Sequence, residues 1–207
     1  MLLRKPGEGG GEEVAKNRGV HVVFIHTVVG LDRTFEEMLR ARRPEGLTIS
    51  HIADSTVIRS LVADGGMNRY ARRRITEHVV AATEFGAEVV QFTCSTISAL
   101  AAPLSELTGV RVLAVDERMA AQVVEEHERI ALLATNVATV APSRGQIERA
   151  AERLGRKVAI SEHVPQGAYA ALLDGDVEKH DTLVERELGS VETEATALVL
   201  AQASIAE

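Results

Sequence analysis

The chain has 207 residues, a formal net charge of -7, one cysteine and no tryptophan, and 45% of its residues are apolar. This length allows one large domain or two small ones, and the negative charge disfavours nucleic acid as a partner, because phosphate binding needs a basic surface. A single cysteine excludes an internal disulfide and a cysteine-rich zinc site, and the lack of a long apolar segment predicts a cytoplasmic protein that does not contact membranes.

The first half of the chain is predicted to alternate between strands and helices after a Gly- and charge-rich segment, 1–18, that is expected to be a flexible tail. Apolar runs of strand length indicate strands, and segments with one apolar face indicate helices. In chain order these are strand 20–27, helix 33–43, strand 47–54, helices 55–64 and 68–85, a strand ending at Cys94, helix 95–107 and strand 110–116.

The second half repeats this order. It predicts helix 117–127, strand 129–135, helix 143–155, strand 157–164, helices 166–173 and 177–188, and strand 195–201. Alternating strands and helices predict an α/β fold with parallel sheets flanked by helices. We therefore expect two similar α/β lobes, 19–116 and 117–207, with a cleft between them.

Ligands of open parallel sheets bind beyond the carboxyl ends of the strands, so the polar residues that follow each strand are candidates for a site. They are His26, Thr27, Asp54, Ser55, Cys94, Ser95, Thr96, Asp116, Glu117, Thr135, Asn136, Gln202 and Ser204. The chain has no HExxH, GxxxxGK[ST], GxGxxG or GxSxG pattern, which argues against zinc hydrolases, P-loop enzymes, dinucleotide dehydrogenases and α/β-hydrolases.

The stretch "VVQFTCSTIS" places Cys94 where a strand becomes a helix. The positive end of a helix dipole favours a thiolate, and the unpaired N–H groups of Ser95, Thr96 and Ile97 are expected to bind an anionic group. One turn thus offers a base and a cradle for a carboxylate. The alternative is a buried cysteine that packs as a small apolar residue.

A second polar turn, with Thr135, Asn136 and Thr139, is predicted to hold another anionic group, or else only to cap a helix. His26 ends the first strand and is a candidate acid or base near neutral pH. The alternative for His26, and more so for His51 inside the second strand, is a structural histidine bonded to the backbone.

These segments together resemble the aspartate/glutamate/hydantoin racemase superfamily. The resemblance runs through "VVFIHTV", "SHIADSTVIRSLVADGG", "VVQFTCSTIS", "RVLAVDERMA", "IALLATNVATVAPS" and "LVLAQASIA". It implies two pseudo-symmetric Rossmann-like lobes with the active site in the interlobe cleft. It also implies chemistry without a cofactor or metal at a carbon next to a carboxylate or carbonyl, on a small substrate such as an amino acid or hydantoin.

In that family, two cysteines face each other across the substrate, and Cys94 matches the first of them. The resemblance also implies that Ser95, Thr96, Thr27 and the Thr135–Thr139 turn bind the substrate carboxylate. The second motif usually reads "LGCT" or "LGCA", but here it reads "LAQAS", so Gln202 takes the place of the cysteine. Gln202 does not titrate, and together with Ser204 it is expected to close the other side of the site.

Several functions remain open at this point. In the first, Cys94 works with another acid, for instance His26, in a racemase or epimerase. In the second, Cys94 is the sole proton donor of a decarboxylase, or a nucleophile in a cis-trans isomerase of a small dicarboxylate. A catalytically inactive carboxylate-binding protein is a further alternative. Because the family continues into a final helix that packs on the first lobe, whereas this chain stops at "QASIAE", a homodimer or larger homo-oligomer is expected.

Overall fold

The structure, a computed structural model, describes residues 19–40, 46–191, 195–202 and 205. The predicted tail, 1–18, and Ser204 lie outside these residues. Two separate parallel sheets form the architecture, and helices flank both of them. The predicted α/β class with parallel sheets is therefore confirmed. None of the helices in the described part of the chain is both long and apolar enough to cross a membrane.

The first sheet has four parallel strands in the order β2–β1–β3–β4. Their bounds are β1 His21–His26, β2 Thr48–Ala53, β3 Val89–Phe92 and β4 Arg111–Leu113. The strands alternate in sequence with α1 Leu31–Arg40, α2 Ser55–Ala63, α3 Arg69–Glu84, a 3₁₀ helix Ser95–Leu100 and α4 Ala101–Thr108. We call this unit lobe 1. The central strands β1 and β3 carry the most apolar residues, and Ile25, Val90 and Phe92 are fully buried.

The second sheet has three parallel strands in the order β6–β5–β7, and we call its unit lobe 2. The strands are β5 Arg129–Leu133, β6 Ala159–His163 and β7 Ala197–Leu200. The helices are α5 Glu117–Glu126, α6 Val137–Leu154, α7 Ala168–Leu173 and α8 Val177–Leu188. Each sheet has its own apolar core, and Ala120 and Val124 of α5 pack into the core of the second.

Two predicted helices differ from the observed ones, the first in its type and the second in its start. The segment after Cys94 begins as a 3₁₀ helix and becomes α-helical only at Ala101, because the Ile97 N–H turns back to Cys94 O at 3.2 Å. The helix expected to start at Ser143 begins six residues earlier, where the Asn136 side chain accepts a hydrogen bond from Ala138 N at 3.0 Å. Thr139 therefore lies in the first turn of α6, not in a loop.

Candidate functional site

Cys94 lies at the carboxyl end of the first sheet, two residues after β3 ends at Phe92. Its backbone is extended, with φ -126° and ψ 118°, and its partly buried side chain packs against the core of lobe 1. The N–H groups of Ser95 and Thr96 have no acceptor among the described residues, as predicted. The prediction for Ile97 is wrong, because its N–H bonds Cys94 O.

The turn that follows Cys94 is where the two lobes meet. Ser95 Oγ donates to Ala201 O at 2.8 Å, at the end of β7. Thr96 Oγ1 and Thr139 Oγ1 share a hydrogen bond of 3.0 Å, and both side chains are buried. These bonds cross from lobe 1 to lobe 2, so Cys94 stands at the interlobe junction. The hydroxyls of Ser95, Thr96 and Thr139 therefore already have partners, and their role in substrate binding stays a prediction.

The side-chain amide oxygen of Gln202 accepts hydrogen bonds from the polar turn of lobe 2. Gln202 Oε1 accepts from Thr135 N at 2.7 Å, from Asn136 N at 3.0 Å and from Thr135 Oγ1 at 3.2 Å. Since a carboxamide nitrogen only donates, these three donors fix which end of the amide faces them. A carboxylate oxygen would meet the same donors. We call Thr135 N, Thr135 Oγ1 and Asn136 N the lobe 2 cradle.

This arrangement predicts that Gln202→Leu and Gln202→Glu differ in stability. Leucine leaves the three cradle donors without an acceptor, and we expect the free energy of unfolding to fall by about 1–2 kcal/mol. Glutamate keeps an oxygen in the cradle and should be close to the native chain at neutral pH. Urea denaturation of the three proteins measures the difference. A leucine variant as stable as the glutamate variant would contradict the assigned contacts.

His26 belongs to a chain of hydrogen bonds in lobe 1 that includes Thr93, the residue before Cys94. Its Nδ1 is 2.9 Å from Thr93 Oγ1, and its Nε2 is 2.9 Å from His51 Nδ1. Because Thr93 Oγ1 donates its only hydrogen to Ile25 O at 3.2 Å, His26 Nδ1 carries the proton and donates to Thr93. His26 Nε2 then accepts from His51, whose Nε2 lies 3.5 Å from a carboxylate oxygen of Glu36.

Burial and, to a smaller extent, the charge of His51 lower the pKa of His26 from 6.5 to about 4, and Asp32 partly opposes this shift. His26 is fully buried and neutral at neutral pH. Both of its ring nitrogens already have partners in lobe 1. Its predicted role as a second acid or base stays a prediction, and its hydrogen bond to Thr93 connects it to the neighbour of Cys94.

Three further predicted residues are Thr27, Ser204 and Asp54. Thr27 follows β1 and is fully buried, and its hydroxyl has no hydrogen-bond partner within the described ranges. Ser204 lies outside the described residues. Asp54, at the end of β2, is held within lobe 1, because its Oδ2 accepts from Arg74 Nη2 at 2.9 Å and from His78 Nε2 at 2.8 Å. No group of three or more potential metal ligands occurs in the described part of the chain.

Asp116 is a buried carboxylate between the lobes. Its Oδ1 accepts from Ser98 Oγ at 2.6 Å and from Gln146 Nε2 at 3.3 Å, while its Oδ2 has no partner among the described residues. Burial raises the pKa of Asp116, and the hydrogen bonds from Ser98 and Gln146 only partly oppose this. The folded chain therefore holds the proton of Asp116 more tightly than the unfolded chain does.

Asp116→Asn is expected to stabilise the protein at neutral pH. The raised pKa of Asp116 means that native stability falls as pH rises from the unfolded value of 3.8 through the folded value. Asparagine keeps the Oδ1 acceptor and removes the buried charge, so we expect a gain on the order of 1 kcal/mol at neutral pH and none in acid. Thermal denaturation at both pH values measures this, and a variant less stable than the native chain at neutral pH would contradict it.

Tyr169 lies beyond the carboxyl end of β6 in lobe 2 and was not among the predicted residues. It follows β6, on α7, and is partly buried. Burial raises the pKa of Tyr169, and the charge of Cys94 raises it further. The strand-end rule applied to "HVPQGAY" after β6 would have found it.

An apolar groove of about 840 Å³ lies elsewhere, where the first sheet and α1 face α5 and α6. Neither Cys94 nor Gln202 lines it. Because Cys94, Thr139 and Gln202 lie at the interlobe junction and not in this groove, we take the junction as the candidate active site. The groove is lined mainly by apolar side chains, among them Phe24, Phe35, Met38, Leu39, Leu113 and Leu154.

The architecture is shared with solved racemase structures. Glutamate racemase from Aquifex pyrophilus is similar over 91% of this chain and 75% of its own, with a TM-score of 0.64 and 19% identity. Glutamate racemase from Francisella tularensis, in complex with D-glutamate, is similar over 92% and 73%, with a TM-score of 0.67 and 16% identity. Aspartate racemase from Picrophilus torridus is similar over 91% and 83%, with a TM-score of 0.60 and 15% identity.

No family model and no curated protein matches the sequence. The likeness to the racemases is thus one of three-dimensional structure. The chain has the two-lobed α/β fold of the aspartate and glutamate racemases, and the resemblance read from the sequence is confirmed at that level.

Proposed function

We propose that the chain is a cofactor-independent racemase or epimerase. It acts at the carbon next to a carboxylate or carbonyl of a small acid, of the amino acid or hydantoin type, and Cys94 is its acid/base. The observation that carries the proposal is the place of Cys94. The only thiol of the chain stands at the interlobe junction of a fold that the glutamate and aspartate racemases share.

The chemistry begins with removal of a proton from the α-carbon by the Cys94 thiolate. Such a proton is very weakly acidic, so the developing negative charge on the carboxylate or carbonyl oxygen needs oriented donors. The N–H groups of Ser95 and Thr96, which have no acceptor among the described residues, are next to the thiol in the chain and supply them. This pairing of base and donors in one turn supports proton transfer over mere packing of Cys94.

The lobe 2 cradle is the second anchor for the substrate. Gln202 Oε1 occupies it in the structure, which supports a cradle suited to an oxygen that accepts several hydrogen bonds. A substrate carboxylate either displaces Gln202 or binds the Gln202 NH2 group, the free donor end of the amide. Both routes bring an anionic substrate between the lobes, next to Cys94.

Gln202 also favours a second candidate, a reaction that delivers a proton to one face only. Its amide does not titrate, so it cannot act as the second thiol does in the family that the sequence resembles. A decarboxylase, or a cis-trans isomerase of a small dicarboxylate, needs only one reactive cysteine. A carboxylate-binding protein without turnover needs none.

A substrate panel separates these functions. Enantiopure amino acids, hydantoins, substituted malonates and maleate are incubated with the native chain, and optical rotation, carbon dioxide release and proton NMR are followed. Loss of optical rotation without carbon dioxide supports the racemase or epimerase. Carbon dioxide release or double-bond isomerisation would overturn it in favour of the second candidate, and binding without any reaction would leave a binding protein.

A further inference from the structure

The groove between the first sheet, α1, α5 and α6 has no part in the proposed reaction. Its floor is a row of side chains on three neighbouring strands, because Phe24 of β1 is in register with Gln91 of β3, and Gln91 with Leu113 of β4. The other face of these strands packs against α2, α3 and α4 in the core of lobe 1. The described lining of the groove, in contrast, contains only one helix of lobe 1, α1, and its far wall comes from α5 and α6 of lobe 2.

The walls of the groove leave large apolar side chains in contact with solvent. Met38 of α1 is 59% exposed, Leu154 at the end of α6 is 43% exposed, and Val115 after β4 is 41% exposed. Apolar surface that lines one concave space is typical of a binding site. The volume of about 840 Å³ lies within the range of small-molecule sites, which is about 300–1,000 Å³.

Two arginines give the groove a positive charge that no neighbour balances. Arg111 of β4 and Arg118 of α5 both line it, and neither side chain has a hydrogen-bond or ion-pair partner among the described residues. The third arginine of the lining, Arg153, lies 3.4 Å from Glu117, the one acidic residue of the described lining. In a chain with a net charge of -7, a cationic patch of this kind favours an anionic ligand.

We propose that the groove binds a free carboxylic acid with a long apolar chain, such as a fatty acid. The apolar chain lies on the floor and against α1, and the carboxylate pairs with Arg111 and Arg118. An arginine can bind a carboxylate through parallel N–H donors, which orients the head group. Because α1 belongs to lobe 1 and α5 to lobe 2, the bound acid contacts both lobes and stabilises their docked arrangement. This ligand is separate from the substrate of the proposed function, since Cys94 does not line the groove.

A second copy of this chain suits the groove less well. A two-fold dimer uses the same patch on both subunits, so it would bring the unpaired Arg111 and Arg118 of both copies into one interface. Two chains with a net charge of -7 also repel each other. The charges therefore favour a small acid over self-association through this groove.

The first test measures the binding of dodecanoate by calorimetry, below the concentration at which it forms micelles. We expect one dodecanoate per chain and an affinity that falls as the salt concentration rises. Dodecanol, which has the same apolar chain without the charge, should bind at least about tenfold more weakly. Equal binding of dodecanoate and dodecanol, or no binding of dodecanoate, would overturn the proposal.

The double variant Arg111→Gln/Arg118→Gln should bind dodecanoate at least about tenfold more weakly than the native chain. The matched control is Arg59→Gln/Arg72→Gln. It removes the same charge from exposed positions of α2 and α3, on the other face of the first sheet, and should bind as the native chain does. Native affinity in Arg111→Gln/Arg118→Gln would show that the two arginines do not hold the acid.

The second test fills the groove without changing its charge. Ala121 of α5 lines the groove and the next residue, Gln122, does not, so Ala121→Phe is compared with Gln122→Phe. We expect Ala121→Phe to lose dodecanoate binding and Gln122→Phe to keep it. Circular dichroism checks the fold of both, and the arginine variants decide the outcome if Ala121→Phe does not fold.

Light scattering of the same proteins tests the other occupant of the groove. If the native chain is a dimer and Ala121→Phe is a monomer, a second copy covers the groove and the proposal is overturned. Native affinity for dodecanoate in Ala121→Phe would overturn it as well, because the acid then binds elsewhere. None of these measurements needs a reaction at Cys94, so failure of the proposed function leaves the test of the groove intact.

Discussion

Cys94→Ser is expected to lower the rate of α-proton transfer by about a thousandfold and to leave ligand affinity largely unchanged. A serine hydroxyl has nearly the size of a thiol but does not ionise to a useful base. The donors that hold the substrate, the N–H groups of Ser95 and Thr96 and the lobe 2 cradle, are untouched. The rate is measured as loss of optical rotation of the best substrate, and the affinity by calorimetry.

The outcomes of this experiment differ for each class of function. A serine variant that turns over at the native rate would rule out every mechanism that uses the thiol. A variant that loses turnover but keeps affinity supports an enzyme in which Cys94 reacts and the two lobes bind. If the native chain binds a ligand without turnover and Cys94→Ser binds it equally well, Cys94 is a partly buried packing residue of lobe 1.

His26 is expected to make the protein sensitive to acid. The unfolded chain takes up a proton on this residue near pH 6.5, whereas burial holds the folded pKa of His26 at about 4. The unfolded state therefore binds more protons between these values, and the stability that neutral His26 contributes is lost as pH falls through them. The difference between the two pKa values corresponds to about 3 kcal/mol.

The variant His26→Gln isolates this contribution, since glutamine can both donate and accept but does not titrate. Between neutral pH and about pH 4, the native chain should lose about 3 kcal/mol more stability than His26→Gln in urea denaturation. His127→Gln, at the end of α5 and partly exposed, is the control and should behave as the native chain does. An equal acid-induced loss in His26→Gln and the native chain would contradict the buried neutral state of His26.

The sequence predicted the parts of the site that depend on local pattern. The apolar run that ends before Cys94 marks a buried strand, and a thiol just beyond such a strand must lie at the carboxyl edge of a parallel sheet. The replacement of the second cysteine by Gln202 is likewise visible in the sequence, because it interrupts the motif that resembles the racemases. The bounds of most helices and strands follow from periodicity within a few residues.

Other features depend on contacts that no local pattern contains. The bond between Thr96 and Thr139 joins residues from different lobes, so it exists only once both lobes are folded and docked. The three donors to Gln202 come from a turn 66 or 67 positions earlier in the chain. The observed start of α6 precedes the predicted one because Thr135, Asn136 and Thr139 resemble a polar turn in the sequence, whereas the Asn136 cap makes 137–142 helical.

Exchange of the α-proton with solvent tests most directly whether Cys94 is the acid/base of the site. The native chain and Cys94→Ser are incubated in deuterium oxide with the same enantiopure substrate, and proton NMR follows the signal of the α-hydrogen. We expect the native chain to replace this hydrogen by deuterium and Cys94→Ser to do so about a thousandfold more slowly. Equal exchange by both proteins would contradict the assignment of Cys94 as the acid/base.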